Sequence, residues 1–570
     1  MNYYEIYNYN ENNNYDLLIY KNSNYVVNEN IVINNRGINN DIVYIENSKV
    51  IGIKKRNNSK ISGILYLNKN TKYGFNSKNM PYYIFKPLNK KYPTYLVASS
   101  LKTKVKTYIT ITFSKWATDS KYPYGQCNDI IGPINICNNM YEILLFKHNL
   151  IYPRFKLTKN IIQEHKSYIT ENLSYIDYDV FTIDPKGCTD IDDALSINIY
   201  DKYVEIGVHI TDVSYFINDI SFLLKNLSCS IYASHRQINI LPDIYSTNIC
   251  SLLENTKRKC ISIILKFSHN YELLDYNINE SYVNIIRNFS YEEAEKIIKV
   301  KNNKYKYLCD LWNFIIKYDT KITDTHILVE KLMVLANHKI AETLYNYDKT
   351  NTILRVHNKK TINNINNVND VNNVNDVNNN LDKITNNYLR IKTYNSAIYE
   401  KNVCKPNHYG LDIDLYTHFT SPIRRICDII THINIKNYLK NKNLLIISEE
   451  NIEHINKINK SIKNLYYDYK IVDLLHKNET QSNITCYGYI IDFTLNKFVI
   501  FIPEYNIEYK IKYHSNKLDN LYNIIKEDNI LEIIYENSIK KYSKYDLVNL
   551  ELYFIKNEDN FEDKIKIKIL

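Results

Sequence analysis

The sequence predicts an α+β multidomain chain in which small β-barrels flank a mixed α/β centre. Three observations predict it. Residues 1–95 and again 96–170 carry short β-branched and aromatic runs split by Asn and Gly, the pattern of small barrels. From about residue 171 strands are followed by long helical periods, and after 480 the chain returns to β runs. A length of 570 residues leads to an expectation of about four domains.

Taken in order, DIVYIENSKVIGIKK (41–55) and ISGILYL (61–67) supply strands for a first barrel over 1–95. KTYITITFSKW (106–116) and YEILLFKH (141–148) supply strands for a second over 96–170. The central domain is expected at 171–475. In it LVEKLMVLANHKIAETLYNY (328–347) has apolar residues at three- and four-residue steps, an amphipathic helix, and 449–476 reads as another. Residues 361–387 are low complexity, with NNVNDV repeated in 366–377, and read as a solvated, disordered insertion. ITCYGYIIDF (484–493) and KFVIFIPEY (497–505) predict a third small barrel over 476–570.

Composition narrows the class only in part. The formal net charge of +10 is compatible with nucleic acid without being diagnostic. Ten cysteines form no CxxC pair and no ligand spacing with histidine, which argues against structural zinc and for reduced thiols in an intracellular protein. The N-terminus, with Glu5 and Glu11 ahead of Lys21, lacks a secretory or transit pattern. No apolar run approaches 18 residues, so no membrane span is expected. The expected location is intracellular and soluble, in the cytoplasm, with nucleus and organelle as open alternatives.

The most informative run is FTIDPKGCTDIDDALSI, with Asp184, Asp190, Asp192 and Asp193 within ten residues. VFTI (180–183) has β character, Pro185 keeps Asp184 extended, and Leu195, Ile197 and Ile199 alternate again. Asp184 therefore ends one strand, and the other three acids line the loop entering the next. Unit charges ~4 Å apart repel by about 4 kcal/mol at an effective dielectric near 20. A hard divalent cation relieves that repulsion with carboxylate oxygens as ligands. The spacing does not fit a calcium EF-hand loop. The bland alternative is a solvated acidic turn.

A second run, THFTSPIRRICDIITH, offers Ser421 as an N-cap, Pro422 as a first helical residue, and Ile423, Ile426, Ile429 and Ile430 as an apolar stripe. Arg424 and Arg425 would then fall in the first helical turn. The helix dipole disfavours cations there, so an anion such as phosphate is the natural complement.

These two runs resemble the catalytic motifs of the RNB domain, found in the ribonuclease II and ribonuclease R family and in the exosome catalytic subunit. The likeness continues through GVHITDVSYFI (207–217), YASHRQINILPD (232–243), CSLLENTKRKC (250–260), LVEKLMVLAN (328–337) and HYGLDIDLYTHFTSPIRRICDIITH (408–432). NNRGINNDIVYIE (34–46) and WATDSKYPYGQCNDIIGPI (116–134) resemble the paired cold-shock-like OB barrels of the exosome-type branch, and the C-terminal β run resembles its RNA-binding OB barrel. Because the chain starts near the first barrel, that branch's N-terminal endonuclease domain is not expected.

The resemblance implies a processive 3′→5′ exoribonuclease that releases nucleoside 5′-monophosphates from single-stranded RNA drawn through a narrow funnel. It implies Mg²⁺, with Mn²⁺ as an alternative, held by Asp184, Asp190, Asp192 and Asp193. Asp192 would position the attacking water or a second metal, and Arg424 would hold the reacting phosphate, with Arg425 auxiliary. Tyr232 would stack on the last base, and Arg236 and Arg258 would contact the RNA backbone. Tyr416 and His418 would shape the site. The partner would be RNA, with the chain either in an RNA-decay complex or monomeric. The segment from Phe314 to Glu330 is short for the family and lacks its paired strands, and Tyr466 and Tyr467 stand about where a helical acid is usual. Two other readings fit parts of the pattern: a catalytically silent RNA-binding protein on this scaffold, and, against the flanking barrels, a glycosyltransferase using an Asp-x-Asp metal site.

Overall fold

The structure, a computed structural model, describes residues 3–6, 17–21, 30–67, 73–150, 174–217, 220–358, 395–494, 497–512, 524–527, 530–535, 538–555 and 558–570. The low-complexity insertion lies outside them. The chain divides into two compact units. One comprises Met1–Ile151, Ala233–His235 and Ser461–Leu570; the other comprises Tyr152–Tyr232 and Arg236–Lys460.

In the first unit, strands Tyr3–Ile6, Leu17–Lys21, Asn30–Ile33, Ile42–Glu46 and Lys49–Lys55 close into a barrel. Its last two strands form a hairpin turning at Asn47 and Ser48, both at positive φ (47° and 56°), which suits the right-handed twist of the flanking strands. A second closed barrel follows immediately: Ile61–Tyr66, Tyr82–Pro87, Tyr95–Ala98, Thr107–Lys115 and Tyr124–Pro133. The predicted boundary at 95/96 therefore cuts the second barrel inside its third strand, Tyr95–Ala98. The true break is the polar run 56–60, too short to stand out among other Asn- and Lys-rich turns.

The predicted strand at 141–148 is a helix, Cys137–Lys147. It buries Met140, Tyr141, Ile143, Leu144 and Leu145, and so short an apolar run is ambiguous between helix and strand. The C-terminal part is a five-stranded antiparallel sheet (Asn483–Thr494, Lys497–Ile502, Ile507–Lys512, Leu547–Phe554, Ile565–Ile569) beside a separate three-stranded meander over Ile524–Ser543. Among the described residues this sheet is open rather than closed. Helix Glu449–Lys477 runs through the predicted 475/476 boundary, and its residues from Ser461 onward belong to the first unit.

The second unit holds a closed barrel that sequence reading did not foresee, built from Ser174–Asp184, Asp193–Ile199, Val204–Thr211, Thr256–Phe267 and Leu273–Ser290. Closure comes from the parallel pairing of the first of these strands with the last, Asp184 lying opposite Ser290. Ile206, Val208 and Ile210 join a core shared with helices Tyr291–Val300, Lys306–Tyr318 and Thr325–Tyr347. Period-two alternation puts Gly207 and His209 on the opposite face. There His209 links Ser196 (2.9 Å) to Ser262 (2.7 Å), and a Cβ on Gly207 would collide with both His209 and Ser196. The turn from Phe314 to Glu330 is a six-residue link, 319–324, closed by Asp324 capping the next helix.

Phe181 is fully buried where barrel meets helices, with Tyr307 and Phe289 at ring distances of 5.0 and 5.9 Å. Phe181→Ala is expected to lower unfolding free energy by about 3–5 kcal/mol in a denaturant titration. A loss below about 1 kcal/mol would show that this junction is not the core of the unit.

Candidate active site

The site grows from the mouth of the central barrel. Strand Ser174–Asp184 ends on Asp184, Pro185 breaks it, and a turn with Gly187 at φ +82° leads back to Asp193, the first residue of the next strand. The loop is pinned from behind. Ile191 N–H donates to Ser251 Oγ (3.1 Å), and Leu252 N–H donates to the Ile191 carbonyl (3.1 Å).

The four aspartates meet different fates. Asp192 is 4% exposed, and both its oxygens are engaged: Oδ1 accepts from Ile423 N–H (2.8 Å) and Oδ2 from Arg424 Nε (3.3 Å). Asp190 Oδ2 accepts from Tyr232 Oη (2.6 Å) and Gln237 Nε2 (3.0 Å), and Oδ1 faces the Cys188 thiol at 3.7 Å. Asp184 is half-buried, and its Oδ2 is shut off from solvent without a hydrogen-bond partner.

Electrostatics separates them further. Burial pushes Asp184 up to about 6; Asp190 adds to the rise, while Thr182 and Arg424 oppose it. Burial raises Asp192 to about 7 despite the opposing pull of Arg424 and Ile423 N–H. Asp193 is raised well above the usual carboxylate range by burial and then by repulsion from Asp184 and Asp192. All three acids thus ionise less readily than an ordinary carboxylate, with desolvation the largest cause in each.

Among the described residues, no group of three or more His, Cys, Asp or Glu is gathered in metal-ligand geometry. The predicted four-aspartate ligand set is not assembled as a set, because Asp192 is drawn to the arginine turn and Asp190 to Tyr232 and Gln237. What remains, the orphaned oxygen of Asp184 and the Asp193 carboxyl that it repels, fits a hard divalent cation in donor chemistry and charge.

The arginine motif departs from the predicted helix. The helix is Ile426–Leu439, and Arg425 is its extended N-cap residue (φ −137°, ψ 128°). Arg424 and Arg425 therefore lie in a turn ahead of the helix and not in its first turn. The cause is Asp428. Its fully buried carboxylate accepts from Ser421 N–H (2.7 Å) and from Arg425 Nη2 (2.8 Å), folding Ser421–Arg425 back over the helix start. Burial alone would lower Arg425, but the opposed Asp428 charge keeps it above the ordinary arginine range. Arg424 is 46% exposed at its side chain and gives Nη2 to Ser421 Oγ (3.0 Å).

Backbone bonds tie this turn to the Tyr232 segment: Ser230 N–H to the Arg424 carbonyl (2.9 Å) and Ile426 N–H to the Ser228 carbonyl (3.0 Å). Tyr232, 42% exposed, sits in a hairpin of Ile231–Tyr232 with Gln237–Ile238, and Arg236 lies half-buried in its loop.

Asp184, Asp190, Asp192, Asp193, Arg424, Arg425 and Tyr232 are therefore joined by one network of contacts and charges. Arg258 is not part of it. Its guanidinium donates to the carbonyls of Ser251, Lys257 and Asn248, so it braces the loop behind the aspartates. His418 is half-buried and bonded to Tyr399 Oη (2.6 Å), and desolvation followed by the nearby Arg425 and Arg355 charges pushes its imidazole well below the ordinary range; Tyr416 Oη accepts from Asn337 (3.1 Å). Sequence reasoning missed Gln237, which has no signature. It also missed Asp428, whose signal was available as an acid placed among Ile426, Ile429 and Ile430.

This barrel-mouth acid loop facing an arginine turn defines an RNB-type protein, and comparison with known proteins agrees. Residues 173–315 and 313–441 match the RNB domain, and residues 82–149 match the Dis3-like cold-shock domain 2. Exosome complex exonuclease RRP44 of Mus musculus is 25% identical over 551 residues, covering 81% of this chain and 55% of the relative. Mycoplasma genitalium RNase R, apo and with ribose methylated single-stranded RNA, superposes with a TM-score of 0.75 over the full length of both chains at 16% and 17% identity. Yeast Ssd1, described as a pseudonuclease, superposes with a TM-score of 0.69 at 14% identity, covering 100% of this chain and 96% of that one. The chain carries an RNB domain and is a homologue of Dis3/RRP44-like exoribonucleases. It spans 55% to 59% of the length of the first three curated relatives it matches.

The raised Asp184 value makes stability depend on pH. Its value in the fold, about 6, lies above the ordinary 3.8, so the folded state binds the proton more tightly. That contribution is full below about pH 4 and is lost as the pH rises through about 6. In chelated buffer at pH 8, Asp184→Asn should therefore be more stable than the parent, by up to about 3 kcal/mol. The difference should shrink towards pH 4, and thermal melts across pH check it. A less stable Asp184→Asn at pH 8 would contradict the unbalanced charge.

Proposed function

We propose that this chain is a processive 3′→5′ exoribonuclease that hydrolyses single-stranded RNA to nucleoside 5′-monophosphates. The observation that carries this reading is Asp192 bonded to both Ile423 N–H and Arg424, beside the unbalanced pair Asp184 and Asp193. That arrangement sets one cationic fork next to one anionic cradle, as phosphodiester hydrolysis requires.

Asp184 and Asp193, with Asp190 at their edge, would hold a divalent cation, Mg²⁺ or Mn²⁺. Such an ion lowers the pKa of bound water and offsets charge on the phosphate. Asp192 fixes the Arg424 guanidinium and keeps an acceptor near the attacking water. The exposed part of Arg424 takes the phosphate oxygens as charge builds during in-line displacement. Tyr232, its hydroxyl held by Asp190, offers a ring face to the terminal base, and stacking tolerates any base. Arg425 acts through Asp428, and Arg236 would contact the RNA backbone. The barrels of the first unit would carry further RNA contacts. Relatives named as exosome components support membership in an RNA-decay complex, with a monomer as the alternative. Among the described residues no helix is long and apolar enough to cross a membrane.

A second reading has a specific observation behind it: a structural neighbour is described as a pseudonuclease on this scaffold. In that reading the chain binds RNA without cutting it. End-labelled single-stranded RNA, with Mg²⁺ and with chelator, separates the two. The exonuclease reading predicts metal-dependent shortening, and the silent reading predicts a mobility shift alone. Asp192→Asn should lower turnover by about 10²–10³ or more while leaving RNA affinity within about twofold. Tyr232→Ala should lengthen the limit product. Turnover that survives chelation, or an Asp192→Asn variant as active as the parent, would remove the mechanism.

A further inference from the structure

Within the first unit, a cleft of about 880 Å³ is lined by the second barrel on one side and by C-terminal residues of 558–563 on the other. The chemistry at the aspartate loop makes no use of it. Its cations are Arg36, Lys86, Lys90 and Lys121, set beside Tyr66 and Tyr122. Lys86 and Lys121 are exposed; their Nζ atoms lie 4.9 Å from the Tyr66 ring centre and 5.6 Å from the Tyr122 ring centre. Lysines interleaved with aromatic rings suit a single nucleic-acid strand, with phosphates on the ammonium groups and bases on ring faces.

Two acids of the C-terminal segment are set against that chemistry. Asp559 accepts from Tyr66 Oη (2.8 Å) and, at both carboxylate oxygens, from Lys106 Nζ (2.6 and 2.8 Å). Asp563 pairs with Lys90 Nζ at 3.3 Å. The side chains of these two ion pairs are 24% to 59% exposed, and pairs so exposed contribute little to stability. The segment is anchored instead by Phe561, 1% exposed, with Lys147 Nζ 4.7 Å from its ring centre. Removing the charge of Asp559 or Asp563 therefore leaves the segment seated. A carboxylate that accepts from an ammonium and a phenol offers the same two-oxygen acceptor that a phosphodiester would.

We propose that this cleft is a docking surface for single-stranded RNA and that Asp559 and Asp563 gate it. The two carboxylates hold Lys106 and Lys90 until RNA phosphates exchange with them. The proposal rests on the reading above that the chain takes single-stranded RNA. Each exchange trades one ion pair for another, so the gate lowers RNA affinity and its salt dependence together.

The test reads RNA affinity by fluorescence anisotropy, with the full chain in chelator and a labelled oligouridylate of about 20 nucleotides, longer than one OB-barrel footprint. Asp559→Asn keeps an acceptor for Tyr66 and removes the charge. It is expected to bind RNA about three- to tenfold more tightly than the parent, with the slope of log K against log salt steeper by about 0.7, one added phosphate contact on a single strand. Asp563→Asn is expected to act the same way through Lys90, by a smaller factor. Asp201→Asn makes the same change of net charge on an exposed acid of the second unit, and is expected to stay within about 1.5-fold of the parent. Unchanged or weakened binding by Asp559→Asn, or a gain matched by Asp201→Asn, would overturn the proposal; should Asp559→Asn not fold, the same outcomes in Asp563→Asn would do so. No RNA binding by the parent would instead remove the RNA reading itself, and this inference with it.

Discussion

The site depends on how buried negative charge is balanced. Of the four carboxylates in the loop, Asp190 and Asp192 have both oxygens engaged by protein donors. Asp192 takes a backbone N–H and a guanidinium, and the arginine turn is shaped to deliver both. Asp428 does the same work one layer further in, accepting from Ser421 and Arg425 so that the turn stays folded back from the helix. Breaking either buried pair would strand a charge in low dielectric, which costs several kcal/mol. Asp184 Oδ2 has no hydrogen-bond partner, and burial, with repulsion between neighbouring acids added to it, raises both Asp184 and Asp193.

Much of this was legible in the residues. The aspartate run and its bracketing strands fall where the alternation of VFTI and of Leu195, Ile197 and Ile199 put them, and the long helices at Thr325–Tyr347 and Glu449–Lys477 follow their apolar spacing. The arginine motif was read at the right residues with the wrong local geometry. Ser421 and Pro422 are good helix-starting residues, but a tertiary contact, Asp428 to Ser421 and Arg425, overrode that local preference. The barrel boundary was misplaced because closure is a property of strand count and pairing, and neither is written in a run of alternating residues. The helix Cys137–Lys147 was misread for a related reason: YEILLFKH is β-rich by composition, and its turn periodicity is too short to show.

The partition of the four aspartates could not be read from sequence at all. Offsets along a loop say that the acids are near one another, not which way each carboxylate turns. Gln237 and the backbone N–H of Ile423 decide it, and they come from segments 47 and 231 residues away from their partners. The same long-range logic sets the base of the Tyr232 hairpin, held by Asp190.

The claim that matters most is that Asp184 and Asp193 carry an unbalanced charge meant for a metal ion while Asp192 serves the arginine. Anomalous X-ray diffraction from crystals soaked in Mn²⁺ tests it directly. The account predicts one strong peak within about 2.5 Å of carboxylate oxygens of both Asp184 and Asp193, with Asp192 still on Arg424. No peak at saturating Mn²⁺, or a peak on Asp192 with Arg424 released, would contradict it.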